Sequence, residues 1–149
     1  MDYTEEIEIN LPRDEVVRLF DDPAHMAGWQ PGLRSVELLS GEQGQPGART
    51  RLVTVAGRRR TEMIETVTHR DLPDAFHGTY DAKGVHNIVE NFFHEAGPGR
   101  TRWVNHNVFE FRGAMKIVAL LFGRSFPQET RRTMTDFKAF AEGTESARA

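Results

Sequence analysis

Residues 3 to 9 alternate between polar and apolar positions, with Tyr3, Ile7 and Ile9 on one face, so the chain opens on a half-buried strand. The next stretch, "LPRDEVVRLF", changes period. Val16 and Phe20 stand four apart, Pro12 occupies the first turn, and Asp14 and Glu15 sit at the positive end of a helix dipole, which predicts a helix. "DPAHMAGWQPG" follows as a second, short helix stopped by Pro31 and Gly32. From Leu33 onward the texture is that of strands: "LRSVELLS", "ARTRLVTVA", "RTEMIETVTHR", "AFHGTYDA", "VHNIVENFFHEA" and "TRWVNHNVFEF". The turn signals "GEQGQPG", "AGR", "DLPD", "AKG" and "GPG" separate them, and connections this short make neighbouring strands antiparallel. The last stretch is helical again. Phe126, Thr130, Met134, Phe137 and Phe140 or Ala141 mark one stripe, with Pro127 just inside its start, Ser125 as N-cap and Gln128 as capping partner.

The order is one strand, two short helices, about six antiparallel strands and a long C-terminal helix, and such a sheet must bury one face against that helix. This order, with "GWQPG" after the second helix, "DLP" after the fourth strand, "GRTRW" leading into the last strand and "FKAFAE" near the end, resembles the START/birch-allergen superfamily (SRPBCC), especially its polyketide cyclase/dehydrase-like branch. The resemblance covers nearly the whole chain. It implies an α+β helix-grip fold over residues 1–149 as a single ligand-binding domain: a curved antiparallel sheet of about seven strands wrapped around the C-terminal helix and an apolar cavity. Lipid carriers, hormone receptors, aromatases and cyclases share that fold, so the fold alone assigns no reaction.

The final two strands carry an anomaly. A hairpin about "AGPGR" with Glu95 opposite Thr101 pairs His94 with Arg102, Phe92 with Val104, Glu90 with His106, Ile88 with Val108 and His86 with Glu110 on one face. The other face pairs Phe93 with Trp103, Asn91 with Asn105, Val89 with Asn107, Asn87 with Phe109 and Val85 with Phe111. Strands disfavour Asn, and a buried amide without partners costs roughly 1–3 kcal/mol. Three readings follow. The amides face water and the charged face packs inward; or they form a self-satisfied buried ladder that fixes register; or Asn87, Asn91, Asn105 and Asn107 form a polar belt that orients a mostly apolar ligand between Trp103 and Phe109.

Tyr80 shares the asparagine face, as a ligand hydroxyl donor or as a packed tyrosine. Glu65 lies between Met63 and Val67. If that face is internal, Met63 lines the cavity and Glu65 is a buried carboxylate with a raised pKa and the one candidate general base, with Tyr80 beside it as a catalytic candidate. If Ile64 points inward instead, Glu65 is a surface residue. Trp29 is read as a lid or core residue over one end of the grip, within reach of a ligand.

Composition narrows the chemistry. The 149 residues include 38% hydrophobic and 28% charged residues, as a globular domain does, and a formal charge of -3 offers no bulk attraction for nucleic acid. No cysteine is present, which excludes thiol nucleophiles and Cys-based metal sites. His86, Glu90 and His106 share a sheet face, where side chains diverge instead of converging on a metal; Asp21, Asp22 and His25 read as a helix cap and turn. "GRRR" at 57 to 60, near Arg49 and Arg51, makes a basic hairpin tip that reads as a solvated turn, with an anionic partner as the alternative. The acidic, alternating "MDYTEEIEIN" is unlike a signal peptide, and "IVALLFG" is too short to span a bilayer, so a cytoplasmic protein without integral membrane contact is expected, as monomer or homodimer. The expected function is binding of a hydrophobic or amphipathic small molecule, of lipid, polyketide or aromatic type, between sheet and C-terminal helix. The alternative is a cyclase, aromatase or dehydratase working in the same cavity by polar positioning, without metal or nucleotide cofactor.

Overall fold

The computed structural model describes residues 1–148, with side chains through residue 144. Strand β1 (Asp2–Ile9) leads into helix α1 (Arg13–Asp21), a 3-10 turn (Pro23–His25) and the short α2 (Met26–Trp29). Six strands follow: β2 (Leu33–Ser40), β3 (Arg49–Ala56), β4 (Arg59–Asp71), β5 (Ala75–Ala82), β6 (Val85–Glu95) and β7 (Thr101–Phe111). Helices α3 (Met115–Phe122) and α4 (Ser125–Arg148) complete the described chain. The strands form one antiparallel seven-stranded sheet in the order β1-β7-β6-β5-β4-β3-β2, so every sequential pair from β2 to β7 is a hairpin and β1 closes on β7. This is the expected helix-grip arrangement. No helix among the described residues is long and apolar enough to cross a membrane.

The β6–β7 register is the predicted one at every pair, from Val85–Phe111 to Glu95–Thr101. Trp103, Asn91, Asn105 and Asn107 are buried, so the asparagine face points inward and the histidine and glutamate face points out. Against the inner face, α1 and α4 bring Val16, Leu19, Met134, Phe137 and Ala141 onto Ile9, Phe93 and Trp103. Of the α4 stripe, Met134, Phe137 and Ala141 are buried and Phe126, Thr130 and Phe140 half-buried. Phe126 packs on Phe109 and Phe111 with ring centroids 5.0 and 5.4 Å away. Tyr3 shares a 2.7 Å hydrogen bond with Thr130. Burying a side chain such as Phe137 contributes roughly 1.5–3 kcal/mol, which is why this stripe fixes the seat of α4.

At the C-terminal side one element is added and one expectation is corrected. Residues 115–122 form a helix of their own, because an apolar run without alternation carries no period that distinguishes helix from buried strand. The chain then turns straight into α4: Phe126 N–H donates to Gly123 O at 3.3 Å, and Ser125 Oγ donates to Phe122 O at 2.7 Å. Ser125 is therefore a helical residue that closes the α3–α4 junction, not the N-cap of a capping box with Gln128. Near the first helices, by contrast, Asp22 caps as expected, its Oδ1 accepting from Ala24 N–H at 2.9 Å.

Candidate functional site

A bend in the sheet creates the site. Pairing between β4 and β5 shifts between Val67 and His69, and a β-bulge of this kind sharpens strand curvature. Across the bulge stands Gly78, where a Cβ would lie 2.9 Å from Thr66 O; only glycine lets the strands approach so closely. The concavity so formed by β4, β5 and β6 is roofed by the α1–α2 segment and the β2–β3 loop, leaving a cavity of about 80 Å³. Its apolar wall is Phe20, Met26, Trp29, Val67, Phe76 and Val89; its polar groups include Glu65, Tyr80 and Asn91.

The cavity therefore lies under α1 and α2, and no described residue of α4 lines it, in place of the expected site between sheet and α4. The cause is aromatic packing. Phe137 of α4 meets Phe20, Trp29 and Trp103 with centroids 6.0, 5.1 and 5.3 Å away and fills the space that would otherwise continue the cavity. At the mouth, Arg70 grips Asp21 with both nitrogens, at 2.8 and 2.7 Å, and donates to Gly44 O at 3.1 Å, which ties the end of α1 to the β2–β3 loop. The Arg70 pKa is raised, first by the hydrogen bonds to Asp21.

Asparagines 87, 107, 105 and 91 form one directional chain. Asn87 Nδ2 donates to Asn107 Oδ1 at 3.3 Å, Asn107 Nδ2 to Asn105 Oδ1, and Asn105 Nδ2 to Asn91 Oδ1 at 2.7 Å. The indole N–H of Trp103 also donates to Asn91 Oδ1, at 2.9 Å. Because an indole nitrogen can only donate, this contact determines which end of the Asn91 amide is oxygen, and the rest of the chain follows. Asn91 Nδ2 is left without a protein acceptor among the described residues, on a side chain that lines the cavity. Trp29, also on the wall, carries a buried indole N–H with no acceptor among the described residues.

Facing these donors, Tyr80 Oη donates to Glu65 Oε2 at 2.8 Å. The two residues are directly opposed on β5 and β4, so the register itself brings them together. Glu65 thus points into the cavity, which settles the choice between Glu65 and Ile64. Burial raises the Glu65 pKa above the ordinary carboxylate value, and the Tyr80 hydroxyl only partly offsets this. Tyr80 is pushed well above the usual phenol range, by burial first and then by the Glu65 charge. The pair is a neutral donor beside a carboxyl group that holds its proton more tightly than usual. That combination can hydrogen-bond a carbonyl or hydroxyl oxygen and can pass a proton.

Of the residues singled out from the sequence, Trp29, Glu65, Tyr80 and Asn91 meet at this cavity. Asn87, Asn105, Asn107 and Trp103 stand behind it as the hydrogen-bonded support of Asn91. Phe109 stacks on Phe111 at 5.7 Å and Tyr3 at 6.0 Å, and Met63 pairs opposite Leu52; neither lines the cavity. Phe20, Phe76 and the Asp21–Arg70 clamp were not anticipated. Asp21 and Arg70 lie 49 positions apart, and no local pattern links them. On the outer face, His106 bridges Glu90 and Asp2 at 2.8 and 2.6 Å, and His86 meets Asp81 at 2.5 Å. Near the basic tip, Arg51 in mid-β3 pairs with Glu37 and Glu62 at 3.1 and 3.0 Å, and Arg60 of the tip lies 3.8 Å from Glu62.

The fold recurs widely. An aromatase/cyclase from a Streptomyces species superposes with a TM-score of 0.80 at 16% identity, over 95% of this chain and 93% of that one. A START superfamily protein from Mycobacterium smegmatis gives 0.75 at 13% identity, over 96% and 98%. Norcoclaurine synthase from Thalictrum flavum, solved with dopamine and hydroxybenzaldehyde, gives 0.74 at 13% identity, over 98% and 87%. At such identities these likenesses speak to the fold alone. No curated protein matches the sequence at a significant level. The family model described as polyketide cyclase / dehydrase and lipid transport matches residues 1–142, and the chain belongs to that family.

Proposed function

We propose that the protein binds a hydrophobic or amphipathic small molecule of lipid, polyketide or aromatic type, with an acceptor oxygen of that molecule held by Asn91 Nδ2 and, when Glu65 carries its proton, by the Glu65–Tyr80 pair. The observation that carries this reading is the spare Nδ2 of Asn91, whose orientation is imposed from behind by Trp103, on the wall of an otherwise apolar cavity. A donor fixed in place on a mostly apolar wall has only water or a ligand oxygen to satisfy it, and a ligand that supplies the acceptor gains a pre-oriented hydrogen bond. At about 80 Å³ the cavity takes a polar head and a few carbons, below the ~300–1,000 Å³ that encloses a drug-sized ligand, so a larger body displaces Phe20 or α2 on binding. The test is thermal stabilisation by matched pairs of ligands, long-chain or polycyclic ketones against the parent hydrocarbons. A ligand at ~100 times its Kd adds roughly 2.7 kcal/mol. Ketones should stabilise the wild type more than hydrocarbons do, and equal shifts would remove the role of Asn91.

A second reading, a cyclase- or dehydratase-type enzyme in the same cavity, is favoured by one observation, the raised pKa of Glu65 next to Tyr80. In that reading the Glu65 carboxylate takes a proton from the carbon beside a ligand carbonyl. The C–H electron pair moves into a C=C bond, and the developing oxyanion is met by Asn91 Nδ2–H. Deuterium exchange at that carbon of a bound ketone, present in wild type and lost in Glu65→Gln while binding persists, distinguishes the enzyme from the carrier.

A further inference from the structure

Helix α3 turns its apolar side chains to solvent further than β2, where Val36, Leu38 and Leu39 reach 36–44% exposure. In α3, Ile117 is 62% exposed, Leu120 84%, Leu121 69% and Phe122 60%. Ile117, Leu120 and Leu121 follow i, i+3, i+4 spacing and share one face, while Met115, Val118 and Ala119 are half-buried on the other. Met1, 41% exposed, extends the patch, since its Cε lies 3.1 Å from where a Cβ of Gly123 would be. Contiguous apolar surface of this kind on a water-facing helix marks an interaction site.

Charge identifies the partner. Residues 111–128, bounded by the exposed Glu110 and Glu129, contain Arg112, Lys116 and Arg124 and no acidic residue, and all three cations are exposed. Lys116, Leu120 and Arg124 fall in one i, i+4 row, so cations flank the most exposed leucine at both ends. Lys83 adds a fourth exposed cation from the β5–β6 turn, beside Met115 at Gly84. Of the acids near the stretch, Asp2 and Asp81 are engaged with His106 and His86, which leaves Glu110 and Glu129 at its margins against four cations.

We infer that α3 docks the protein on an anionic lipid surface, its Ile117–Leu120–Leu121 face entering the acyl boundary while Lys116, Arg124, Arg112 and Lys83 sit among the phosphates. A helix of eight residues is about 12 Å long, far short of a bilayer span but sufficient to lie in the interface plane. A second copy of the chain fits less well. One short helix is smaller than the ~20–30 residues a side of a stable interface, and two-fold pairing sets the same cations against each other. The inference stands independently of the cavity ligand.

Sedimentation with vesicles tests it, using mixed phosphatidylcholine/phosphatidylglycerol vesicles against pure phosphatidylcholine. Wild type should bind the anionic vesicles and release as salt rises. Leu120→Ser with Leu121→Ser should weaken binding by at least about a hundredfold. Lys116→Gln with Arg124→Gln should weaken it by about thirtyfold on anionic vesicles and little on neutral ones. All four positions are exposed, so melting temperatures should match wild type and loss of binding should not come from unfolding. Failure of wild type to bind anionic vesicles overturns the inference, as does a serine variant that binds equally well. A concentration-dependent dimer that the serine variant breaks, without vesicle binding, would assign the face to self-association and overturn it likewise.

Discussion

Trp103 Nε1 lies 2.9 Å from Asn91 Oδ1, and that contact orients an amide chain four asparagines long. An acceptor that takes two buried donors cannot be replaced by a hydrocarbon cheaply. Asn91→Leu strands the Trp103 indole N–H and Asn105 Nδ2, at about 1–3 kcal/mol for each donor left without an acceptor. Adding Asn105→Leu does not restore stability, because Trp103 stays stranded and Asn107 Nδ2 loses its own acceptor. Urea unfolding of the single and double variants checks this, and a double variant as stable as wild type contradicts it.

The hairpin that carries this chain was legible from sequence to the last pair, because a short "AGPGR" turn and strict two-residue alternation leave one register that buries Trp103 and Phe93 together. The face of Glu65 was not, since Met63 and Ile64 offer apolar neighbours on both sides of β4 and only the partner strand decides. Nor was the cavity's place under α1: it depends on Phe20 and on the Asp21–Arg70 clamp, contacts between segments far apart in the chain. Helix α3 is not legible either: an unbroken apolar run carries no period that marks it as a helix, and nothing in it signals that the folded chain leaves it exposed.

Glu65 should make stability pH-dependent in a defined direction. Its pKa in the folded state is raised, so the folded protein holds this proton more tightly than the unfolded chain, and stability falls as pH rises from the ordinary carboxylate value through the raised one. Glu65→Gln removes that dependence while leaving Tyr80 an oxygen to donate to. The variant should gain on wild type as pH rises and lose the advantage below the ordinary carboxylate range. Unfolding titrations across that range check it; a difference constant with pH contradicts it.

His106 acts in the same direction on the outer face. Hydrogen bonds to Glu90 and then Asp2 raise its pKa, so its contribution is fully present below the ordinary histidine value and is lost as pH rises through the raised one. The site is partly solvated, so the effect is small. His106→Gln should flatten the stability profile as pH rises above the ordinary histidine value and leave ligand binding unchanged, because the residue lies on the face opposite the cavity. An NMR titration of the His106 ring gives the pKa directly.

Val89 offers the sharpest probe of the central claim, for it is buried, lines the cavity and takes no part in the amide chain. Val89→Phe fills much of an 80 Å³ space with carbon and leaves Asn91, Glu65 and Tyr80 in place. The decisive measurement is native mass spectrometry of wild type and Val89→Phe, each equilibrated with the same long-chain ketone. Wild type should carry one ligand per chain, and the folded variant should carry none. Equal occupancy in the two proteins, or none in either across lipid, polyketide and aromatic ligands, would contradict a binding site in this cavity.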